Sequence, residues 1–373
     1  MASASTINNQ TVSVDGYPPH TRTLDLLMGV LSFVLMAGLF IDGWAHNRGI
    51  VDESFFTPYH AVMYGSYALF GFTLVGMHYR NVGKGHRFMK ALPQGYMLSL
   101  IGVFIFAIGG LGDMLWHIAF GIEDGIEALY SPTHLILAIG YCTVLVGVLM
   151  SAWVRQDLKS NWHDLGWVLL TATCLLSIFT FFTQHLHFVT NFEGILSQPI
   201  GSDNQEALTT AVLSSYIIVT SLMIGLVLLL IKRWRLPSGA ITFIFTLNSL
   251  LMGLMLILDF DSMDFVTFLL LMLLMTAPTL ITGIIGDVMI WRMKISHNTP
   301  KLIRVVATVM GVLLGGLYLS AIAILGVIDG GSFWWEIHTL AGIPTLTGLT
   351  GFLLSILVFP PQMPHELVDT DYS

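Results

Sequence analysis

Six residues of the chain could together do coordination chemistry, and they occur as two sets of three. Asp42 and His46 are four residues apart, and Thr57-Pro58-Tyr59-His60 follows. Asp113 and His117 are again four apart, and Ser131-Pro132-Thr133-His134 follows. On a helix, residues four apart share a face about one turn from each other. Thr57 or Ser131 can cap the next helix, with Pro58 or Pro132 at its first position. His60 and His134 then fall in a first turn, where the positive end of the helix dipole disfavours an imidazolium and leaves a neutral ligand. Each hairpin therefore offers two imidazoles and one carboxylate. That set suits copper, non-haem iron or zinc, and spacing does not choose among them.

The two sets belong to a longer repeat of two helices. Gly38 and Gly109 each precede the aspartate by four residues, and Tyr67 and Tyr141 each follow the last histidine by seven. Both copies begin on a helix running the same way, so the repeat is parallel, related by an axis along the membrane normal. A single intramembrane histidine is more often a hydrogen-bonded interior residue than a ligand. Six polar residues recurring in one order and at one depth are costly to keep among apolar helices, which favours metal.

What must position these residues is a membrane bundle. The chain has 373 residues, of which 55% are hydrophobic and 10% charged, where a soluble domain carries about 25% charged residues. Apolar runs near 24–45, 56–78, 94–120, 132–154, 165–189, 208–231, 239–259, 264–291, 302–327 and 334–359 predict an all-α, polytopic bundle of about ten transmembrane helices. With the N-terminus cytoplasmic, fourteen of the fifteen Lys and Arg residues fall in inner segments, and Arg48 alone lies outside. The outer loops are acidic, with Asp52, Glu53, Glu123, Asp124, Glu127, Asp259, Asp261 and Asp264. Both termini are expected in the cytoplasm, the protein in the inner membrane, and both histidine sets toward the extracytoplasmic side. Residues 1–23 read as a cytoplasmic tail rather than a cleavable signal, and 361–373 as a second tail. The net charge of −8, with no basic run, gives no support for nucleic-acid binding. Cys142 and Cys174 both fall inside apolar runs, which excludes a disulfide scaffold or a cysteine zinc site.

The first set, Asp42, His46 and Phe56-Thr57-Pro58-Tyr59-His60, resembles part of the copper membrane monooxygenases, the particulate methane and ammonia monooxygenase family. The likeness is to the polypeptide of those complexes that supplies neighbouring copper sites in the membrane. That polypeptide carries Asp-x-x-x-His and Phe-Thr-Pro-x-His, then Asn-x-x-x-His and Pro-x-His. Asp113, His117 and Pro132-Thr133-His134 resemble the later pair. The spacings differ by a few residues, and Asp113 stands where asparagine is usual, adding negative charge to that set. A weaker likeness links Arg235-Leu236-Pro237-Ser238-Gly239-Ala240 and the stretch Pro278 to Asp287 to a second membrane polypeptide of the same complexes. The resemblance implies a half like the copper-site polypeptide over 24–155, fused to a half like the second polypeptide over 156–360. It implies copper at the two sets, dioxygen activation, and a small apolar substrate such as an alkane or ammonia reaching the site through the lipid bilayer. It also implies, as partner, a separate extracytoplasmic copper-domain subunit. A homo-oligomer is compatible with it. No catalytic base or nucleophile is visible.

Other polar residues invite weaker readings. Gln184, His185 and His187 lie near the end of the fifth run, and Glu336 and His338 at the start of the tenth, as ligands or partners of ligands. Asp287 is expected to pair with Arg292 or with helix N-termini. His78, His86, His163, His297 and His365 read as surface residues. The competing functions are a metal transporter or metal-handling protein, a zinc hydrolase using the same ligands to activate water, and a haem protein with paired axial histidines. A transporter needs polar ligands through the whole depth, and the inner half offers mainly Asn248, Ser249, Thr276 and Asp287.

Overall fold

The structure is a computed structural model, and it describes residues 16–47, 57–121, 126–189, 205–255, 265–296, 298–328 and 337–361. Expectations for Arg48, Asp52, Glu53, Phe56, Glu123, Asp124, Asp259, Asp261, Asp264, His297, Glu336, His365 and most of both tails lie outside these residues. Among the described residues the protein is all-helical, with no strand. Ten α-helices run in order: α1 (Arg22–His46), α2 (Pro58–Gly83), α3 (Tyr96–Phe120), α4 (Pro132–Trp153), α5 (Trp162–Phe182), α6 (Gln205–Arg233), α7 (Ala240–Leu254), α8 (Phe265–Arg292), α9 (Pro300–Ile328) and α10 (Ile337–Val358).

Eight of these are long and apolar enough to cross a membrane, so the protein is a multi-pass membrane bundle. The two that differ from the ten expected spans do so for different reasons. Helix α2 has the length, at 26 residues, but His60, Ser66, His78, Arg80 and Asn81 dilute its hydropathy. Helix α7 has 15 described residues, about 22 Å of helix, which is short of a 30 Å hydrocarbon layer. The fifth run, expected to 189, ends as an α-helix at Phe182, and a short 3-10 turn over Gln184–Leu186 follows.

The chain divides into two compact units, one of residues 1–38 and 52–158, the other of 39–51 and 159–373. The first unit is built from the repeated hairpins. Helices α3 and α4 meet along small residues: Gly102 faces the Val144 backbone, Gly140 the Phe106 backbone and Gly147 the Ser99 backbone. A Cβ at any of the three would overlap main-chain atoms, which side-chain motion cannot relieve. Ser99 Oγ donates to Val144 O at 2.8 Å across the same seam. This is close packing by small residues, the usual source of helix association in lipid.

The repeat predicted from sequence is carried through into contacts. Gly38 abuts the Met63 backbone and Gly109 the Leu137 backbone, and each partner lies three residues after the final histidine of its copy. Tyr67 donates to Val103 O at 2.6 Å, and Tyr141 donates to Ser32 O at 3.1 Å. Ser32 and Val103 are equivalent positions, 71 residues apart, so each hairpin's tyrosine grips the first helix of the other. Asp25 and Tyr96 are also equivalent, and they meet directly, with Tyr96 donating to Asp25 Oδ1 at 2.8 Å. Arg155, just past α4, donates to the other oxygen of this buried carboxylate. The first unit is thus a pseudo-twofold pair of hairpins, fastened at one end by Asp25, Tyr96 and Arg155.

The second unit uses its polar residues as interhelical links. Asn248 on α7 donates to Ser177 Oγ at 3.0 Å and Thr180 Oγ1 at 2.8 Å on α5. Ser249 and Tyr318 hydroxyls lie 2.9 Å apart, and Tyr318 donates to Met275 O. Asp287 accepts from Ile241 N, Thr242 N and Thr242 Oγ1, capping the start of α7. Of the two roles expected for Asp287, the helix terminus is the one observed. Gly239, with φ of +83°, makes the turn that opens α7.

Candidate metal centre

Asp113, His117 and His134 converge within the first unit, their donor atoms all within 4.8 Å of one another. Helix grammar places them. Asp113 and His117 stack in the last two turns of α3, which ends at Gly121 with φ of +85°. Pro132 opens α4, and Ser131 Oγ accepts from His134 N at 3.3 Å, so the histidine is held in the first turn. Gly109 brings that turn against α3 one turn before the aspartate.

Both imidazoles point the same nitrogen at the same carboxylate. His117 Nε2 lies 3.6 Å from Asp113 Oδ2, and His134 Nε2 lies 3.3 Å from Asp113 Oδ1. Two donors about 2.1 Å from a shared ion at a tetrahedral angle are about 3.4 Å apart, so these spacings fit ligands of one metal. The other ring nitrogens face main-chain carbonyls: His134 Nδ1 is 2.5 Å from Ala128 O, and His117 Nδ1 is 3.4 Å from Gly121 O. A carbonyl only accepts, so Nδ1 of His134 carries a hydrogen. A neutral His134 would then turn the Nε2 lone pair at a carboxylate. That arrangement is stable with a cation on the ring or between the groups, which means a second proton or a metal ion. Carbonyl-held imidazoles of this kind are the usual outer support of histidine metal ligands. Asp113 is 2% exposed, so an uncompensated charge there would be costly.

The remaining expected ligands are placed as follows. Asp42 and His46 share a face at the end of α1, with Nε2 and Oδ2 3.9 Å apart, and this end belongs to the second unit. There Phe40 packs edge-on against Phe181, and Asn47 donates to Gln184 Oε1 at 2.8 Å. His60 belongs to the first unit. It is buried in the first turn of α2, where Thr57 Oγ1 accepts from its backbone N at 3.1 Å. His187 is buried beside Phe188, and its Nδ1 accepts from Val189 N. His185 is half-buried and His338 exposed. His78, expected at the surface, is instead buried, with Nε2 2.9 Å from Phe88 O. It fastens the turn after α2, because the chain folds back there instead of leaving the bundle.

Three features are not apparent from the motif alone. Thr133 donates to Asp113 Oδ1 at 3.0 Å. Tyr64, one turn after His60, places its ring against Gly110, where a Cβ would collide with it. The Asp25–Tyr96–Arg155 cluster is the third. For Thr133 a signal existed, a hydroxyl between Pro132 and His134, but its partner sits on another helix.

No protein-family model, no curated protein and no solved structure matches the chain. The class defined by the fold is a multi-pass helical membrane protein.

Proposed function

We propose that the chain is a metal-binding membrane protein whose Asp113, His117 and His134 hold one transition-metal ion. The observation that carries this is the convergence of two imidazole Nε2 atoms on one buried carboxylate, with each Nδ1 turned to a backbone carbonyl. By the internal repeat, Asp42, His46 and His60 form a second set of ligands. The resemblance to the membrane copper-site polypeptide of the copper membrane monooxygenases supports copper as the metal. It also supports an oxygenase, or one component of an oxygenase, as the activity. Copper bound there would supply activation of dioxygen. The chain's own contribution is to hold the ligands in a fixed frame at one end of apolar helices, where a small apolar substrate such as an alkane or ammonia arrives from the bilayer. The distribution of Lys and Arg supports an inner-membrane location with these ligands on the extracytoplasmic side. A separate extracytoplasmic copper-domain protein is the partner the resemblance supports.

The test is metal per polypeptide for the detergent-extracted wild type, His134→Ala, and a variant that also carries His46→Ala. Stepwise loss of copper, with monodispersity kept, is the expected result. Equal metal content in all three would return these residues to hydrogen-bonded ion pairs between imidazolium and carboxylate.

A further inference from the structure

The first turn of α4 contains more than a cap and a ligand. Backbone N–H of His134 donates to Ser131 Oγ, and Ser131 Oγ lies 3.2 Å from Thr133 Oγ1, which donates to Asp113 Oδ1. The ends of this chain fix its direction. A backbone N–H only donates and an ionised carboxylate only accepts, so the Ser131 hydroxyl donates to Thr133 and the Thr133 hydroxyl to Asp113. Each bond polarises the next in a low-dielectric setting. Ser131, Thr133 and Asp113 are all buried, so water does not compete readily for these partners.

We propose that Thr133 is the positioning residue of the Asp113 centre, orienting its carboxylate for the metal and raising the affinity of this site. The inference rests on the metal-site reading above. Thr133 ties the carboxylate of α3 to the turn of α4 that carries His134, so one bond fixes two ligands relative to each other. Its hydrogen bond occupies one lone pair of Oδ1, leaving Oδ2 toward His117 and the remaining Oδ1 lone pair toward His134. The equivalent position in the first copy is Tyr59, 74 residues earlier. A phenol reaches farther than a threonine hydroxyl, so the first copy has no hydroxyl of the same reach at that position. Threonine at this position is therefore particular to the second copy.

The experiment uses the full-length protein in detergent, in a His46→Ala background so that one set reports, with copper(II) as the probe. Affinity is read by competition with a chelator, and the ligand field by electron paramagnetic resonance. Thr133→Val keeps the shape and removes the donor. It should weaken copper(II) binding about 10–100-fold and shift the copper hyperfine splitting, while Thr133→Ser restores both. Thr133→Ala places no extra atoms in the seam, and should show the same loss if the valine variant does not fold. A valine or alanine variant matching its parent in affinity and spectrum would overturn the role of Thr133. No copper(II) uptake even in the parent would instead overturn the site itself.

Discussion

The two hairpins of the first unit share a frame and differ in what surrounds it. Gly38 and Gly109 make the same close approach, and Tyr67 and Tyr141 grip equivalent backbone carbonyls. The seams differ. Helices α3 and α4 are joined along Gly102, Gly140 and Gly147, whereas the position equivalent to Gly147 is Thr73, whose hydroxyl bonds within its own helix. Near the histidines, the position of Thr133 holds Tyr59 in the first copy, and Tyr64 stands where the second copy has Ala138. A repeat can thus keep the contacts that locate its polar residues while changing the side chains around them. Backbone contacts fix where a helix can lie, and they tolerate little change. Neighbouring side chains can change at far smaller structural cost.

The place where equivalent positions meet gives the largest expected effect. Arg155→Ala leaves the buried Asp25 with Tyr96 and the His20 ring, 3.9 Å away, and without its guanidinium, at a cost of about 3 kcal/mol. Asp25→Asn in that background should recover much of it. Denaturant unfolding in detergent measures both, and a cost for Arg155→Ala in the range of an exposed pair, about 1 kcal/mol or less, would show that this end is not a fastening.

The seam contrast comes next. Gly147→Leu forces a side chain into the Ser99 backbone and should lose about 3 kcal/mol, while Thr73→Leu should stay within about 0.5 kcal/mol. Similar losses at the two positions would erase the distinction between the hairpins. The tyrosines probe the symmetry itself. Tyr67→Phe and Tyr141→Phe each remove one interhelical hydrogen bond to a carbonyl that is also bonded within its helix, so each should cost about 0.5–1 kcal/mol. Unequal costs by thermal unfolding would mean that one copy carries the pair.

The smallest effect involves the same arginine. Asp157 pairs with Arg155, which holds its carboxyl down to about 2, but its side chain is 67% exposed. A depressed carboxylate stabilises the fold above its ordinary value of 3.8 and loses that contribution as pH falls toward about 2. Solvent screens the pair, so Asp157→Asn should change stability by less than about 1 kcal/mol, with the difference from wild type vanishing at the acid end. A pH-independent difference would assign the effect to something other than charge.

The helices were legible because apolar runs and caps are local. Thr57-Pro58 and Ser131-Pro132 mark the starts of α2 and α4, and the structure begins both there. The order Asp-His-His was legible too, since spacing on a helix fixes which side chains share a face. The membrane-crossing count was less so: polar residues inside a run, such as His60, Arg80 and Asn81 in α2, dilute the hydropathy of a helix long enough to cross. What sequence could not supply were pairings between helices. Asp25 lies 71 residues from Tyr96 and 130 from Arg155, and nothing in its neighbourhood marks it as the centre of a cluster. His78 reads as polar and near a basic loop, yet its partner is the backbone of a turn ten residues on.

The crossed tyrosines also bear on how the first unit is made. Helices leave the ribosome in chain order, and domains form as their segments become available. Tyr67 can close on Val103 as soon as the third helix is in place. Tyr141 must wait for the fourth, and then it closes on Ser32, in the earlier helix α1, across 109 residues. A nascent chain with three helices is therefore a clamp with one latch shut. Arrival of the fourth helix supplies the second latch and, in the turn that begins it, His134.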